Sequence, residues 1–179
     1  MSGHHDSPQP DPLVALARKA IEDQVCEGTT PAPELPADAG PPRAGVFVSL
    51  HREDGALRGC IGTFLPTKST LAEEVVSNAV AAATHDPRFL PVQERELEGL
   101  HVSVDVLEPP EEVSGPEDLD PACYGIIVRT DDGRQALLLP DLEGVDTVES
   151  QVRLTCRKGH IDPRLDRYRL YRFRVTRHT

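Results

Sequence analysis

Cys60 is the residue of this chain with the most useful chemistry, and it lies in the segment Leu57–Phe64, which reads Leu-Arg-Gly-Cys-Ile-Gly-Thr-Phe. A cysteine thiolate is a nucleophile and a metal ligand, and a nearby guanidinium favours it over the thiol. Alternate side chains of an extended strand share a face, so we expect Arg58 and Cys60 on the same side. Gly59 and Gly62 lack a Cβ, so we expect another group to approach the backbone beside the Cys60 sulfur.

The sequence leaves two interpretations of this segment open. Cys60 is either a functional thiol or a small buried apolar residue, with the glycines marking a bend. We predict that the two glycines have different roles. Gly62 adopts a positive φ to turn the chain, which alanine tolerates poorly, whereas Gly59 leaves room for a ligand.

A second candidate segment is Asp86–Phe89, where an acid and a base flank a proline at the end of a predicted helix. Asp86 and Arg88 either tether a polar loop or hold an anionic substrate group near Cys60. We expect this segment and Cys60 to meet in one cleft, because the intervening helix reverses the chain. His85 is a possible base for the thiol, although an exposed histidine at a helix end is the favoured interpretation.

The elements that must position these residues are predicted from caps, turns and periodicity. Asp11-Pro12 begins a helix that ends at Gly28, and the capping box Thr70-x-x-Glu73 begins a second helix that stops near His85. Strict alternation predicts a strand over His101–Leu107. Further strands are predicted around Val46–His51, Tyr124–Arg129, Ala136–Leu139 and Tyr171–Val175, and a third helix around Val148–Cys156. Hairpin-linked strands with inserted helices predict an α+β architecture with an antiparallel sheet.

Charge and composition exclude several classes of function. The 179 residues include 19 Lys and Arg against 30 Asp and Glu, a net charge of −11. We therefore expect no nucleic-acid binding and no anionic membrane surface as partner, since both need a basic footprint. The segment Arg157–Thr179 alone is basic, with eight Lys or Arg against two Asp. No phosphate-binding glycine loop or metal-ligand motif is present, so we expect no cofactor and no metal site.

Cysteine spacing and the first residues of the sequence indicate a cellular location and the domain boundaries. The four cysteines form no Cys-x-x-Cys pair, which disfavours structural zinc. The first residues lack a basic segment followed by an apolar run, so a reducing, cytoplasmic location is expected. We predict a disordered tail over residues 1–10 and a single domain over residues 11–179.

The octapeptide Leu57–Phe64 resembles the motif of the AMMECR domain family, also called component A of the AmmeMemoRadiSam system. Ala82–Pro91, and Gly125–Val128 leading to Leu137–Pro140, resemble other parts of the family pattern. The resemblance implies a larger and a smaller lobe around a cleft, with Memo-type and radical-SAM proteins as possible partners. One departure is Cys156–Ile161, which reads Cys-Arg-Lys-Gly-His-Ile where the family has Cys-x-Lys-Ala-Gly-Leu.

Two function classes remain open on this basis, and the sequence does not decide whether the chain is an enzyme. The leading hypothesis is a small enzyme or enzyme component that performs group transfer or hydrolysis on a small or peptide-like molecule. Cys60 is then the nucleophile, Arg58 stabilises its thiolate, and Gly59, Gly62, Asp86 and Arg88 bind or position the substrate. The alternative is a non-catalytic binding or scaffold module for the same partners. In a third hypothesis the Cys60 motif is wholly structural.

Overall fold

The computed structural model describes residues 10–179, which divide into two compact units. The first unit comprises the chain up to Val106 together with Arg177–Thr179, and the second comprises Leu107–Thr176. Each unit has its own hydrophobic core. The tail predicted for residues 1–10 lies, apart from Pro10, outside the described residues, and the single domain predicted over residues 11–179 stays a prediction.

The first unit packs two helices on a four-stranded sheet, to which the C-terminal strand also belongs. The elements are α1 (Pro12–Glu27), β1 (Gly45–His51), β2 (Leu57–Thr63), α2 (Leu71–Thr84), a 3-10 helix (Glu94–Gly99), β3 (His101–Leu107) and β8 (Val175–His178). Along the sheet the strand order is β2-β1-β3-β8.

Both helices begin where the sequence predicts. The Asp11 carboxylate accepts the Leu13 amide at 2.9 Å, and α1 ends at Gly28 in the left-handed region, φ 70°. The Thr70–Glu73 capping box begins α2 and is complete in both directions. These predictions are confirmed, because each depends only on residues within one turn.

The two faces of the first sheet differ in what covers them. Val46, Val48 and Leu50 of β1 are fully buried in the core that contains α1 and α2. Side chains of the intervening residues point to the opposite face, where Ser49 lies directly across from Cys60 of β2. Cys60 is therefore on the sheet face that α1 and α2 do not cover.

The second unit is a four-stranded sheet with one helix packed on it. The elements are β4 (Glu111–Val113), a 3-10 helix (Pro116–Asp118), β5 (Gly125–Thr130), β6 (Gln135–Leu138), α3 (Val148–Lys158) and β7 (Tyr168–Phe173). The strand order is β4-β7-β5-β6, and the pairings are antiparallel.

The prediction of a single closing strand around Tyr171–Val175 is wrong, because this segment belongs to two strands. β7 ends at Phe173 and pairs in the second sheet, whereas β8 begins at Val175 and pairs in the first. Side-chain alternation continues through Arg174, so the sequence pattern gives no sign of the change of sheet. Only the pairing of β7 and β8 with different neighbouring strands reveals the change of sheet.

The segment that departs from the family pattern has a structural role at the end of α3. Gly159 caps this helix, and a Cβ at Gly159 would lie 2.9 Å from the Ala136 Cβ. Lys158 Nζ donates to the Leu137 carbonyl at 3.1 Å. Lys158 and Gly159 thus tie α3 to β6.

The predicted α+β class with antiparallel sheets is confirmed. The cleft between a larger and a smaller lobe stays a prediction. Across residues 10–179 no helix combines the length and the apolar character needed to cross a membrane.

Candidate functional site

Strand β2 carries a bulge at Arg58. Leu50 of β1 pairs with Gly59, but the next residue, His51, pairs with Leu57, so Arg58 has no partner on β1. A bulge inserts one residue and re-aims the side chains around it. It interrupts the alternation from which we expected Arg58 and Cys60 to share a face.

Arg58 is used in an ion pair with the 3-10 helix that follows α2. It is 5% exposed, and its Nε and Nη2 donate to Glu96 Oε1 at 2.7 Å and Oε2 at 3.0 Å. This bidentate contact lowers the pKa of Glu96 to about 2, against the opposing effect of desolvation. Arg58 therefore anchors the start of β2 to the 3-10 helix.

Asp86 connects the loop after α2 to the backbone of Cys60. Its carboxylate is 4% exposed, and Oδ2 accepts the Cys60 amide at 2.8 Å and Arg88 Nη2 at 2.7 Å. The other oxygen, Oδ1, accepts both the amide and Nε of Arg88 at 3.0 Å. The Arg88 guanidinium is the main reason that the pKa of Asp86 falls well below its usual range. The predicted approach of the Asp86–Phe89 segment to Cys60 is confirmed.

Arg88 is the cation that contacts Cys60. Its Nη2 donates to the Cys60 carbonyl oxygen at 3.3 Å. The hydrogen bonds to the Asp86 carboxylate raise the pKa of Arg88. Since more than half of the Arg88 side chain is exposed, its guanidinium is fixed on one edge and open on the other.

The Cys60 thiol is half-buried and has a hydroxyl neighbour. Ser49 Oγ lies 3.3 Å from Cys60 Sγ, across the β1–β2 pair. Ser49 was not predicted as a site residue, because only the strand register shows that it faces Cys60. A serine in the first strand of a hairpin would have been the signal, once the turn had fixed the register.

Phe89 lies next to both arginines. The guanidinium carbons of Arg58 and Arg88 are 5.9 and 5.5 Å from the centroid of its ring. The next residue, Leu90, is 82% exposed. The loop after α2 therefore presents an exposed apolar side chain two residues beyond the arginine that contacts Cys60.

The space beside Gly59 is filled by the protein itself. A Cβ at Gly59 would overlap the carbonyl oxygen of Ala82 in α2. The expectation that Gly59 leaves room for a ligand is wrong, because α2 packs onto this backbone.

Gly62 is also required for packing, but not for a turn. Its φ is not positive, contrary to the prediction, and a Cβ there would overlap the ring of Phe47, its partner on β1. Both glycines of the motif accommodate close neighbours within the first unit.

The other three cysteines differ from Cys60 in their surroundings. Cys156 is buried, and desolvation raises its pKa. Cys26 is exposed, and desolvation together with nearby carboxylates raises its pKa. The Asp120 carboxylate raises the pKa of exposed Cys123. Cys60 alone among the four combines partial exposure with an arginine bound to its own backbone.

His85 neighbours the site, but its hydrogen bond is with Thr84 and not with Cys60. His85 is exposed at the end of α2, and its Nδ1 lies 2.6 Å from Thr84 Oγ1, as the favoured interpretation expected. Over residues 10–179 there is no group of three or more His, Cys, Asp or Glu side chains that could hold a metal ion.

Comparison with known proteins gives one consistent result. A family model described as AMMECR1 matches residues 14–178. A Thermotoga maritima protein is 50% identical over 169 residues, which cover 93% of this chain and 97% of the relative. A Clostridium acetobutylicum relative is 44% identical, and the match covers 94% of this chain but only 36% of that longer protein. The crystal structure of an uncharacterised Pyrococcus horikoshii protein matches with a TM-score of 0.82 and 35% identity, covering 93% of this chain and 89% of the other.

Proposed function

The chain belongs to the AMMECR1 family, and on that premise we propose that it is an enzyme, or a component of one, whose site is centred on Cys60. In this proposal the Cys60 thiolate attacks an electrophilic carbon of a small or peptide-like molecule. Arg88, rather than Arg58, stabilises the thiolate, and Asp86 positions both residues. The reaction class is group transfer or hydrolysis.

The observation that carries the proposal is that the buried Asp86 carboxylate binds both Cys60 and Arg88. It accepts the Cys60 amide at 2.8 Å and the Arg88 Nη2 at 2.7 Å with the same oxygen. The contacts of Asp86 with Arg88 lie within the loop, whereas its bond to the Cys60 amide joins the loop, and with it the Arg88 guanidinium, to β2. The additional bond to Cys60 supports a role in holding a guanidinium beside this cysteine.

Each group has a defined part in the proposed reaction. The thiol gives its proton to solvent water, and Arg88 and the Ser49 hydroxyl favour the resulting thiolate. The sulfur forms a bond to the substrate carbon as the leaving group departs with a proton. Water or a second acceptor then releases the transferred group and restores the thiol. Arg58 supports the strand that carries Cys60 through its ion pair with Glu96.

We place this activity in the cytoplasm, with Memo-type and radical-SAM proteins as partners. The four cysteines support the location, since all of them are free, as a reducing compartment leaves them. The resemblance to component A of the AmmeMemoRadiSam system supports the partners. Under this proposal those partners produce or consume the molecule on which Cys60 acts.

A second candidate is a non-catalytic docking module for the same partners, and one observation favours it. Leu90 is 82% exposed immediately after Arg88 and Phe89. A leucine held outward beside a partly exposed arginine suits an interface, where apolar and arginine side chains contribute much of the binding energy.

The two candidates are separated by a substrate search with matched variants. Wild-type protein, Cys60→Ser and the control Cys123→Ser are each incubated with a metabolite extract and analysed by mass spectrometry. The enzyme proposal predicts that a substrate is consumed, or a covalent adduct formed, by wild type and Cys123→Ser but not by Cys60→Ser. Turnover that survives in Cys60→Ser contradicts a nucleophilic role. The docking module predicts three results together. Leu90→Asp loses partner binding, Cys60→Ser binds the partner normally, and no variant turns over a substrate.

A further inference from the structure

Two arginines of the second unit stand directly opposite one another. Arg129 of β5 pairs in register with Arg169 of β7. Like charges at directly opposed positions of an antiparallel pair are destabilising. A cavity of about 210 Å³ lies beside them, lined by these two arginines together with Thr130, Asp131 and Tyr171. We propose that this cavity binds a dianionic oxyanion, such as the phosphate monoester group of a small ligand.

Other arginines of the second unit show what a purely structural arrangement looks like. Arg172 of β7 stands opposite Glu111 of β4 and forms an ion pair with it at 3.1 Å. Arg134 is held by Asp132 at 2.8 Å and by Asp166 at 2.7 Å. Within residues 10–179 Arg129 has no ion-pair partner at all. Its only directly facing charge on β7 is another arginine.

The one acidic residue of the cavity is a weak competitor for a ligand. Asp131 approaches Arg169 only to 3.9 Å, and both side chains are more than half exposed. Exposed ion pairs of this kind contribute little to stability, so an incoming anion can replace Asp131 at small cost. Two guanidinium groups against one carboxylate leave the cavity with a positive charge.

The cavity has the donors that a phosphate group requires. Guanidinium forks bind phosphate oxygens in a bidentate manner, and two of them match a double negative charge. Arg169 and Tyr171 are two residues apart on β7 and so point to the same face. The Tyr171 hydroxyl has no hydrogen-bond partner among the described residues and is available as a further donor. A phosphate group is small enough for a cavity of this volume.

The test titrates inorganic phosphate into the full chain at constant ionic strength, with chloride as the balancing anion. Calorimetry compares the dissociation constant of wild type with those of Arg129→Gln and Arg169→Gln. Arg153→Gln is the control, since it removes the same charge from an exposed position on α3. Each cavity variant should bind phosphate about tenfold or more weakly, because a charge-assisted bond to phosphate is lost. The control should bind as wild type does.

A third variant, Asp131→Asn, gives an effect of opposite sign. Removing this carboxylate should tighten phosphate binding, because the competitor for Arg169 is gone. Folding is checked by thermal unfolding without phosphate, in which Arg129→Gln should be at least as stable as wild type since a like-charge contact is relieved. Phosphate binding that does not exceed that of chloride, or that falls equally in Arg153→Gln and the cavity variants, overturns the proposal.

Discussion

Asp86 is the residue on which the geometry around Cys60 depends most. Its two carboxylate oxygens accept hydrogen bonds from the amides of Cys60 and Arg88 and from the Arg88 guanidinium. An asparagine of the same shape would keep one accepting oxygen and place an amide group against these donors. The carboxylate therefore has no isosteric substitute at this position.

We expect Asp86→Asn to lower the free energy of unfolding by about 1.5 to 3 kcal/mol, the range for hydrogen bonds to a charged group. Urea unfolding at neutral pH measures the change. Asp38→Asn, at an exposed position, is the control and should change stability by less than about 0.5 kcal/mol. An Asp86→Asn protein as stable as wild type would show that the carboxylate does not hold this loop to β2.

The glycines of the motif show what a sequence conveys about a single residue and what it does not. That Gly59 and Gly62 allow a close approach could be predicted from the absence of a Cβ. Which group approaches could not, because the Ala82 carbonyl and the Phe47 ring reach them through tertiary packing. Likewise, Arg58 lies two residues from Cys60, but the cation that contacts Cys60 comes from residue 88.

Gly59→Ala should therefore destabilise the fold, by about 1 to 3 kcal/mol, since overpacking against helix backbone cannot be relieved by a rotamer change. The matched control is Gly99→Ala, whose Cβ would meet Glu53 atoms at an ordinary 3.6 Å. Thermal unfolding of both variants decides the point. Similar melting temperatures for the two variants would contradict the packing role assigned to Gly59.

At the scale of elements, the caps and the alternation of side chains predicted α1, α2 and β3 well. Their determinants are local: Asp11 and Gly28 bound one helix, and Thr70 with Glu73 begins the other. The bulge at Arg58 and the change of sheet at Arg174 were not predictable, because each depends on the register with a distant strand. The 3-10 helix Glu94–Gly99 was missed for a related reason: the pairing of Glu96 with Arg58 spans 38 residues.

The contact between the bulge and this 3-10 helix predicts a pH dependence. Arg58 lowers the pKa of Glu96 from 4.5 to about 2. A depressed pKa in the folded state stabilises the fold fully above pH 4.5, and this contribution is lost as the pH falls towards 2. Glu96→Gln should thus be less stable than wild type at neutral pH, and the difference should shrink between pH 4.5 and pH 2.

Urea unfolding of wild type and Glu96→Gln across this pH range measures that difference. Glu98→Gln, at an exposed position of the same 3-10 helix, is the control and should show no comparable pH-dependent difference. A stability gap between wild type and Glu96→Gln that stays constant down to pH 2 would rule out the ion pair as its source.

At the scale of the whole molecule, the chain returns at its end to the unit in which it begins. Residues 107–176 form the second unit, and Arg177–Thr179 belong to the first. Arg177 donates to Asp105 at 2.8 and 3.0 Å, and His178 lies 2.7 Å from the Asp11 carboxylate that caps α1. These contacts span 72 and 167 residues, so the first unit joins segments that are distant in sequence.

Arg177→Met should destabilise the first unit, because it leaves Asp105, which is 2% exposed, without its cation. We expect a loss of about 2 kcal/mol in the free energy of unfolding. Adding Asp105→Asn to Arg177→Met should recover part of that loss, since the unpaired buried charge is then removed. A double variant that is less stable than the sum of the single changes would contradict this explanation.

The central claim, that Cys60 is an activated thiol, is tested most directly by its rate of alkylation in the native protein at neutral pH. Iodoacetamide labelling is followed for each cysteine by peptide mass spectrometry, in wild type, Arg88→Gln and the control Arg95→Gln, which removes an exposed arginine from the same unit. We predict that Cys60 reacts faster than Cys26 and Cys123, although both are exposed, because the pKa values of those two thiols are raised. Arg88→Gln should slow the reaction at Cys60, and Arg95→Gln should not. Labelling of Cys60 no faster than that of Cys26, or only after unfolding, would contradict the claim.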